Sequence, residues 1–215
     1  MKENLFEAQY NITKKSKLKR FYESNKIFIF SFIFIAIIFF GSFNFYLENK
    51  EKKRVLLSEN YLQAKIFLER GDKNKAMNLL KEVIFANDPT YSSLCLFLIM
   101  NQNLITDYKE LSNLFDHLLE NNKFSREVRN LLIYKKALLN SNFVNELELL
   151  ESIRPLLNTE TLWKPHALLL LGDYFVSKGE HIKALEFYQK IFTIKNLQKD
   201  FYYHARSQLA IIANE

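Results

Sequence analysis

The sequence predicts an all-α protein, in which one N-terminal transmembrane helix is followed by a solenoid of helical hairpins. Three observations support this fold class. The 215 residues include only four Gly and three Pro, too few for the closely spaced turns of a β-sandwich or barrel. One uncharged apolar stretch covers residues 27–47. From Arg54 onward, apolar residues recur at intervals of three and four, the spacing of one helix face.

Residues 27–47 are predicted to be a transmembrane helix. The segment reads IFIFSFIFIAIIFFGSFNFYL and carries no charge over 21 residues. At about 1.5 Å per residue it reaches the ~30 Å thickness of a bilayer core. A buried core helix is one alternative, but apolar residues occupy every face. A cleaved signal peptide is another, although its apolar region is shorter and ends in small residues, whereas Phe surrounds Gly41 and Ser42 here.

Basic residues beside this segment predict its orientation. Seven Lys and Arg lie upstream and four lie directly downstream, at residues 50–54. Because Lys and Arg are retained in the cytoplasm, we expect residues 1–26 to be a cytoplasmic basic tail. Residues 16–25 are alternatively a short interfacial helix. Residues 48–56 are then a linker or the start of the first helix, and residues 57–215 form a domain outside the cytoplasm.

The charge distribution argues against a nucleic-acid partner. The formal net charge is +6, and residues 1–54 account for all of it, with eleven Lys and Arg against five Asp and Glu. Residues 55–215 hold nineteen of each sign. Nucleic-acid-binding domains carry their basic residues on one face of the fold. Here the excess lies beside the apolar segment, which is typical of membrane proteins.

Residues 165–198 carry the best-defined hairpin pattern. Its spaced small and aromatic residues are Gly172, Phe175, Gly179, Ala184 and Tyr188. These residue types at these intervals match the tetratricopeptide repeat, a helical hairpin of 34 residues. We predict that Gly172 and Ala184 lie where the two helices cross, since a larger side chain there would force the helices apart.

Further copies of the pattern are predicted along the chain. The copy at residues 57–90 has its corresponding residues at Ala64, Phe67, Gly71, Ala76 and Leu80. Residues 91–125 and 127–164 match less well, and residues 201–214 resemble a terminal helix that caps a stack. Residues 57–215 are therefore predicted to be a tetratricopeptide-like repeat domain, with a generic helical bundle as the alternative.

No pattern in the sequence predicts an enzyme. The four His stand apart, and no metal-binding spacing of His and Cys occurs. Neither a Gly-rich phosphate loop nor a GxSxG motif is present. The one Cys, Cys95, lies in an apolar run, where thiols are unreactive. We expect no catalytic residue, cofactor, metal or small-molecule substrate.

Protein binding is the remaining function, and a helical repeat offers a groove lined by the first helix of each hairpin. The repeat frame predicts the following groove residues: Tyr61, Lys65, Cys95, Ile99, Leu131, Lys135, His166, Leu169, Asp173 and Val176. Such a mixture is suited to an extended or helical segment of a partner. Ile99, Leu131 and Leu169 are alternatively core residues. On the second helices, Lys183 is predicted to face solvent, and Lys81 and Glu186 to lie on the outer wall.

Two segments of the chain resemble a known family. They are KRFYESNK, before the apolar segment, and WKPHALLLLGDYFVSKGEHIKALEFYQKI, near the C-terminus. In order and size the chain resembles the ancillary subunit of the bacterial Sec translocon, the YfgM-like family of membrane-anchored tetratricopeptide proteins. The resemblance implies an inner-membrane anchor, a periplasmic repeat domain and no catalytic residues.

The same resemblance implies the partners. They are the Sec translocon and a membrane-anchored periplasmic chaperone, with which the protein would assist other proteins that emerge into the periplasm. Two alternatives are a scaffold for another cell-envelope machine, such as division or outer-membrane assembly, and a regulatory sensor. The predicted tail, residues 1–26, has no room for the output domain that a sensor needs.

Overall fold

The computed structural model describes residues 17–214, and every regular element in this part of the chain is an α-helix. The helices are α1 (Lys17–Glu69), α2 (Lys73–Phe85), α3 (Pro89–Asn101), α4 (Tyr108–Asn121), α5 (Arg126–Asn140), α6 (Glu146–Leu157), α7 (Lys164–Ser177), α8 (His181–Ile191) and α9 (Lys199–Ile212). No strand occurs among these described residues, so the predicted all-α class is confirmed. Residues 1–16 of the predicted cytoplasmic tail lie outside the described residues.

The chain divides into two compact units, and Leu57 is the first residue of the second. In the first unit, α1 carries the predicted transmembrane segment. The large apolar side chains of residues 27–47 are exposed, apart from the half-buried Ile29. This helix is long and apolar enough to span a membrane. Residues 17–26 and 48–56 are helical as well and belong to α1.

Short polar side chains cap the starts of several helices in the second unit. Asp72, Asp88, Asp107 and Asn145 each accept a hydrogen bond, of 2.9 to 3.2 Å, from a backbone N–H in the following turn. These caps satisfy amide donors that the first turn of a helix leaves without partners. The four helices α2, α3, α4 and α6 therefore begin where the sequence supplies Asp or Asn.

Three hairpins of the second unit turn back through the same backbone geometry. Gly71, Asn103 and Gly179 have φ of 81°, 48° and 73°, in the left-handed region that Gly and Asn tolerate best. After each, the chain bonds back to the preceding helix: Asp72 N–H to Phe67 O at 2.9 Å, Leu104 N–H to Ile99 O at 3.0 Å and Glu180 N–H to Phe175 O at 2.9 Å. The α1–α2, α3–α4 and α7–α8 turns are thus all Schellman-type helix ends.

Helices that follow one another pack together from α2 to α9, and three further contacts join helices two places apart. These are α2 with α4, α5 with α7 and α7 with α9. Ion pairs also join such helices: Lys81 pairs with Glu110 at 2.5 Å, and Lys183 pairs with Glu146 at 2.7 Å. Lys183 is half-exposed to solvent, as the sequence predicts, and its ammonium group in addition links α8 to α6.

The buried residues of the second unit form two clusters that meet within α5. The N-terminal core includes Ala64, Leu80, Phe115 and Leu132. The C-terminal core begins at Ala137 and includes Leu171, Phe175, Ala184 and Tyr188. Removal of these apolar side chains from water is the main force that stabilises the stacked helices, and α5 contributes one part of its length to each core.

Candidate interaction surface

Two predicted groove residues, Cys95 and Ile99, belong to the N-terminal core and not to a groove. Both side chains are fully buried. Burial also raises the pKa of the Cys95 thiol to about 12, because the charged thiolate is disfavoured away from water. Neither side chain is accessible to a partner.

The repeat frame explains this error. Cys95 and Ile99 lie 34 positions, the length of one tetratricopeptide repeat, after Tyr61 and Lys65. The equivalent turn residues Gly71 and Asn103, however, are only 32 positions apart. A displacement of two positions turns a side chain by about 200° around a helix. When the two segments are aligned by their turns, with a spacing of 32 positions, the counterpart of Lys65 is Phe97 and not Ile99.

Phe97 lies in a depression between α3 and α5, which we call the α3–α5 pocket. It has a volume of about 240 Å³ and is lined by Phe97, Met100, Asn101, Leu131 and Lys135. The sequence predicted Leu131 and Lys135 but missed the three residues of α3. Leu131 is only partly buried, so it belongs to the surface of the pocket and not to the interior of the core.

Lys135 supplies the only charge among the residues that line the α3–α5 pocket. Its side chain is half-buried, and among the described residues no carboxylate forms an ion pair with it. The neighbouring residue on the same helix differs: Lys136 Nζ lies 2.5 Å from Asp116 Oδ1. The pocket therefore combines three apolar side chains and Asn101 with one ammonium group that has no counter-ion among residues 17–214.

His166, another predicted residue, lies at the centre of an aromatic cluster. The cluster involves α5, α7 and α9. Its ring centre is 5.3 Å from that of Tyr134, 4.8 Å from that of Trp163 and 4.6 Å from that of Phe201. Burial lowers the pKa of His166, the charge of Lys135 lowers it further, and the Leu162 backbone acts in the opposite direction. The imidazole therefore favours its neutral form. The three surrounding rings were missed because they come from three separate segments of the chain.

Asp173 has a structural role that the sequence did not suggest. Its carboxylate accepts a 2.6 Å hydrogen bond from the hydroxyl of Tyr188, a residue that is otherwise fully buried. Burial and this carboxylate both raise the pKa of Tyr188 above its usual value. His204 Nε2 lies 3.4 Å from the same Asp173 oxygen. Asp173 remains exposed at the surface, but it also anchors a core side chain.

The other four predicted residues do not line the α3–α5 pocket. Tyr61 is partly buried against the N-terminal core, and Lys65 on the same helix is exposed. Leu169 and Val176 are partly buried against the C-terminal core. Residues 17–214 also contain no group of three or more His, Cys, Asp or Glu side chains placed to hold a metal ion.

The α3–α5 pocket and the His166 cluster adjoin one another through α5, where Lys135 of the pocket follows Tyr134 of the cluster. Together they form a partly apolar, partly aromatic surface. Comparison of the chain with protein-family models, curated proteins and solved structures finds no match. The resemblance to the YfgM-like family therefore stays a prediction.

Proposed function

We propose that this chain is a non-enzymatic, membrane-anchored protein-interaction module. In this proposal, the helices from Leu57 onward form a tetratricopeptide-like solenoid of roughly four hairpins with a terminal helix. The repeated Schellman-type turns support it, and so do the contacts between helices two places apart. An enzyme would need a constellation of reactive groups, whereas the exposed features on the first helices are apolar and aromatic.

The observation that carries the proposal is the surface shared by α3, α5 and α7. The half-buried Phe97, Leu131 and His166 come from three successive first helices, yet they lie along one region around Lys135. Partly exposed apolar and aromatic side chains in a concave surface are suited to a polypeptide segment. We propose that a protein partner binds there.

The proposed partners are the Sec translocon and a membrane-anchored periplasmic chaperone, as the family resemblance implies. The proposed location is a bacterial inner membrane, with residues 27–47 spanning it, the N-terminus in the cytoplasm and the second unit in the periplasm. The upstream excess of Lys and Arg supports this orientation. The protein would thereby hold a chaperone close to proteins that emerge from the translocon.

Site-specific photo-crosslinking in the intact membrane tests the proposal. A photoreactive residue at Lys135 or His166 is expected to capture a translocon subunit or a membrane-anchored chaperone. The matched control positions are Glu186 and Gln189, which are exposed on the second helix α8 and should capture little. Equal capture at all four positions, or capture only from residues 27–47, would contradict a partner surface on the first helices.

Reporter fusions test the orientation separately. An alkaline phosphatase fused after Lys53 or after Glu215 should be active, because that enzyme folds only outside the cytoplasm. Activity of a cytoplasmic reporter at both positions would reverse the proposed orientation and exclude a periplasmic partner.

A further inference from the structure

We propose that the α3–α5 pocket selects acidic, apolar polypeptide segments. In this arrangement an apolar side chain of the partner enters the pocket beside Phe97 and Leu131, and an Asp or Glu side chain of the same segment pairs with Lys135. The inference rests on the proposed protein-binding function and names the chemistry of the bound segment.

The argument begins with the charge of Lys135. Other lysines that are partly buried at helix contacts have carboxylate partners within the chain: Lys81 with Glu110 and Lys136 with Asp116, each at 2.5 Å. Lys135 is also half-buried, but no described carboxylate pairs with it. An ammonium group forms a charge-assisted hydrogen bond with a carboxylate, and such a bond is stronger than one between neutral groups. Lys135 is therefore available to an acidic group from outside the chain.

The surroundings of Lys135 add no acidic group that would attract a basic partner. No Asp or Glu lines the pocket. Asp116 pairs with Lys136, and Asp173 accepts a hydrogen bond from the hydroxyl group of Tyr188. The only charge among the residues that line the pocket is therefore the positive charge of Lys135, and a Lys or Arg of a partner beside it would be repelled.

The walls of the pocket determine the rest of the specificity. Phe97, Met100 and Leu131 present carbon and sulfur atoms, and the unbranched Met side chain adapts to differently shaped neighbours. At about 240 Å³, the pocket is smaller than the ~300–1,000 Å³ typical of cofactor and drug-sized ligands. It has room for one side chain of a polypeptide, next to which Lys135 contacts a second.

Peptide binding to the full-length protein in lipid nanodiscs tests this inference. Three fluorescein-labelled 14-residue peptides share Leu at helical spacing and differ only at the intervening charged positions, which are Glu, Gln or Lys. All are acetylated and amidated, so that no terminal carboxylate competes. Fluorescence anisotropy is measured for each peptide, with empty nanodiscs as the blank. We expect the Glu peptide to bind about tenfold more tightly than the Gln peptide, the ratio typical of a charge-assisted hydrogen bond.

Variants of Lys135 identify the source of that preference. Lys135→Met retains an unbranched apolar stem and should remove the preference for Glu over Gln, whereas Lys135→Glu should reverse it in favour of the Lys peptide. The matched control is Lys123→Glu, which makes the same change in net charge at an exposed position outside the pocket and should leave the preference unchanged. Far-UV circular dichroism verifies that each variant is folded.

The outcomes separate this inference from the proposed function. If the three peptides bind equally and Leu131→Asp abolishes binding, the pocket binds polypeptides but the inferred acid selectivity is wrong. The same holds if Lys123→Glu reverses the preference as strongly as Lys135→Glu does. If no peptide binds, or if Leu131→Asp changes the binding of none, both the selectivity and the polypeptide-binding role of the pocket are wrong.

Discussion

The first and last hairpins of the second unit, α1–α2 and α7–α8, are equivalent residue by residue at a separation of 108 positions. Their turns centre on Gly71 and Gly179, with φ of 81° and 73°. One Lys in each hairpin pairs with the acidic residue at the turn and lies over an aromatic ring: Lys75 with Asp72 and Phe67, and Lys183 with Glu180 and Phe175. The same local sequence pattern has produced the same hairpin twice.

The two hairpins differ at the point where their helices cross. The α1–α2 hairpin has Ala64 opposite Leu80, and the α7–α8 hairpin has Gly172 at the position of Ala64 and Tyr188 at that of Leu80. The side chains of Ala64, Leu80 and Tyr188 are fully buried, and Gly172 is buried as well. A Cβ atom on Gly172 would lie 2.4 Å from Cε1 of the Tyr188 ring, closer than two carbon atoms can approach. The smaller residue on one helix therefore accommodates the larger one on the other.

This difference extends to polar partners. Tyr188 brings a hydroxyl group into the C-terminal core, where it needs a hydrogen-bond acceptor, and Asp173 on the facing helix provides one at 2.6 Å. The residue at the position of Asp173 in the first hairpin is the exposed Lys65, and Leu80 there needs no acceptor. The Tyr188 hydroxyl group thus accounts for an acidic residue, Asp173, at the surface of α7, where the equivalent position of α1 carries the basic Lys65.

The largest expected effect on stability comes from truncating the large side chain at each helix crossing. Tyr188→Ala should destabilise the protein by about 3–5 kcal/mol, and Leu80→Ala by about 2–4 kcal/mol, since the larger side chain leaves the larger cavity. Urea unfolding of the full-length protein in detergent, followed by far-UV circular dichroism, measures both values. The fluorescence of Trp163, which is the only Trp and packs on the C-terminal core, should report the Tyr188 variant most directly. A larger loss from Leu80→Ala would contradict the comparison.

Gly172→Ala tests the compensation of side-chain size. The added methyl group should cost about 1–3 kcal/mol by overpacking against Tyr188, partly offset by the higher helix propensity of Ala, worth up to ~1 kcal/mol. The double variant Gly172→Ala with Tyr188→Leu restores the combination found in the first hairpin. In the same unfolding assay its cost should be smaller than the sum of the two single costs. Additive costs would show that Gly172 and Tyr188 do not compensate one another.

The turns should respond alike, because their geometry is shared. Gly71→Ala and Gly179→Ala should each cost about 1–2 kcal/mol, since a non-Gly residue is strained in the left-handed region. A Cβ atom at either position meets no atom within 4 Å, so steric overlap adds nothing. Asn103→Gly in the α3–α4 turn should change stability by less than ~1 kcal/mol, as both residues adopt this conformation. Costs that differ several-fold between Gly71 and Gly179 would contradict equivalent turns.

The smallest expected effect is a pH dependence of folding stability that arises from His166, beside the C-terminal core. The pKa of His166 is lowered, first by burial and then by Lys135, so the unfolded chain binds the proton more readily than the folded one does. His166 therefore stabilises the fold fully above about pH 6.5, its ordinary pKa, and this contribution is lost as the pH falls further. Between pH 7.5 and 5.5 the wild-type protein should lose more stability than His166→Gln, as measured by urea midpoints. Parallel losses in the two proteins would contradict this role.

Much of the fold follows from local sequence. Gly71, Asn121, Asn140 and Gly179 all lie at or just beyond helix ends, because capping and left-handed turns depend on a few adjacent residues. The candidate site is less predictable. Of the five residues that line the α3–α5 pocket, the sequence identifies Leu131 and Lys135. It misses Phe97, Met100 and Asn101, because the turns at Gly71 and Asn103 are 32 and not 34 positions apart.

The sequence by itself determined that this protein is helical, where most helices begin and end, and that residues 27–47 are long and apolar enough to span a membrane. These properties depend on residue type and on spacing within a few turns. Only the tertiary structure decided which face of α3 is buried, that Lys183 joins two helices, and that Asp173 serves the hydroxyl of Tyr188. Each of these depends on side chains that are not neighbours in sequence, and a two-residue difference in the spacing of two turns is enough to exchange a core position for a surface one.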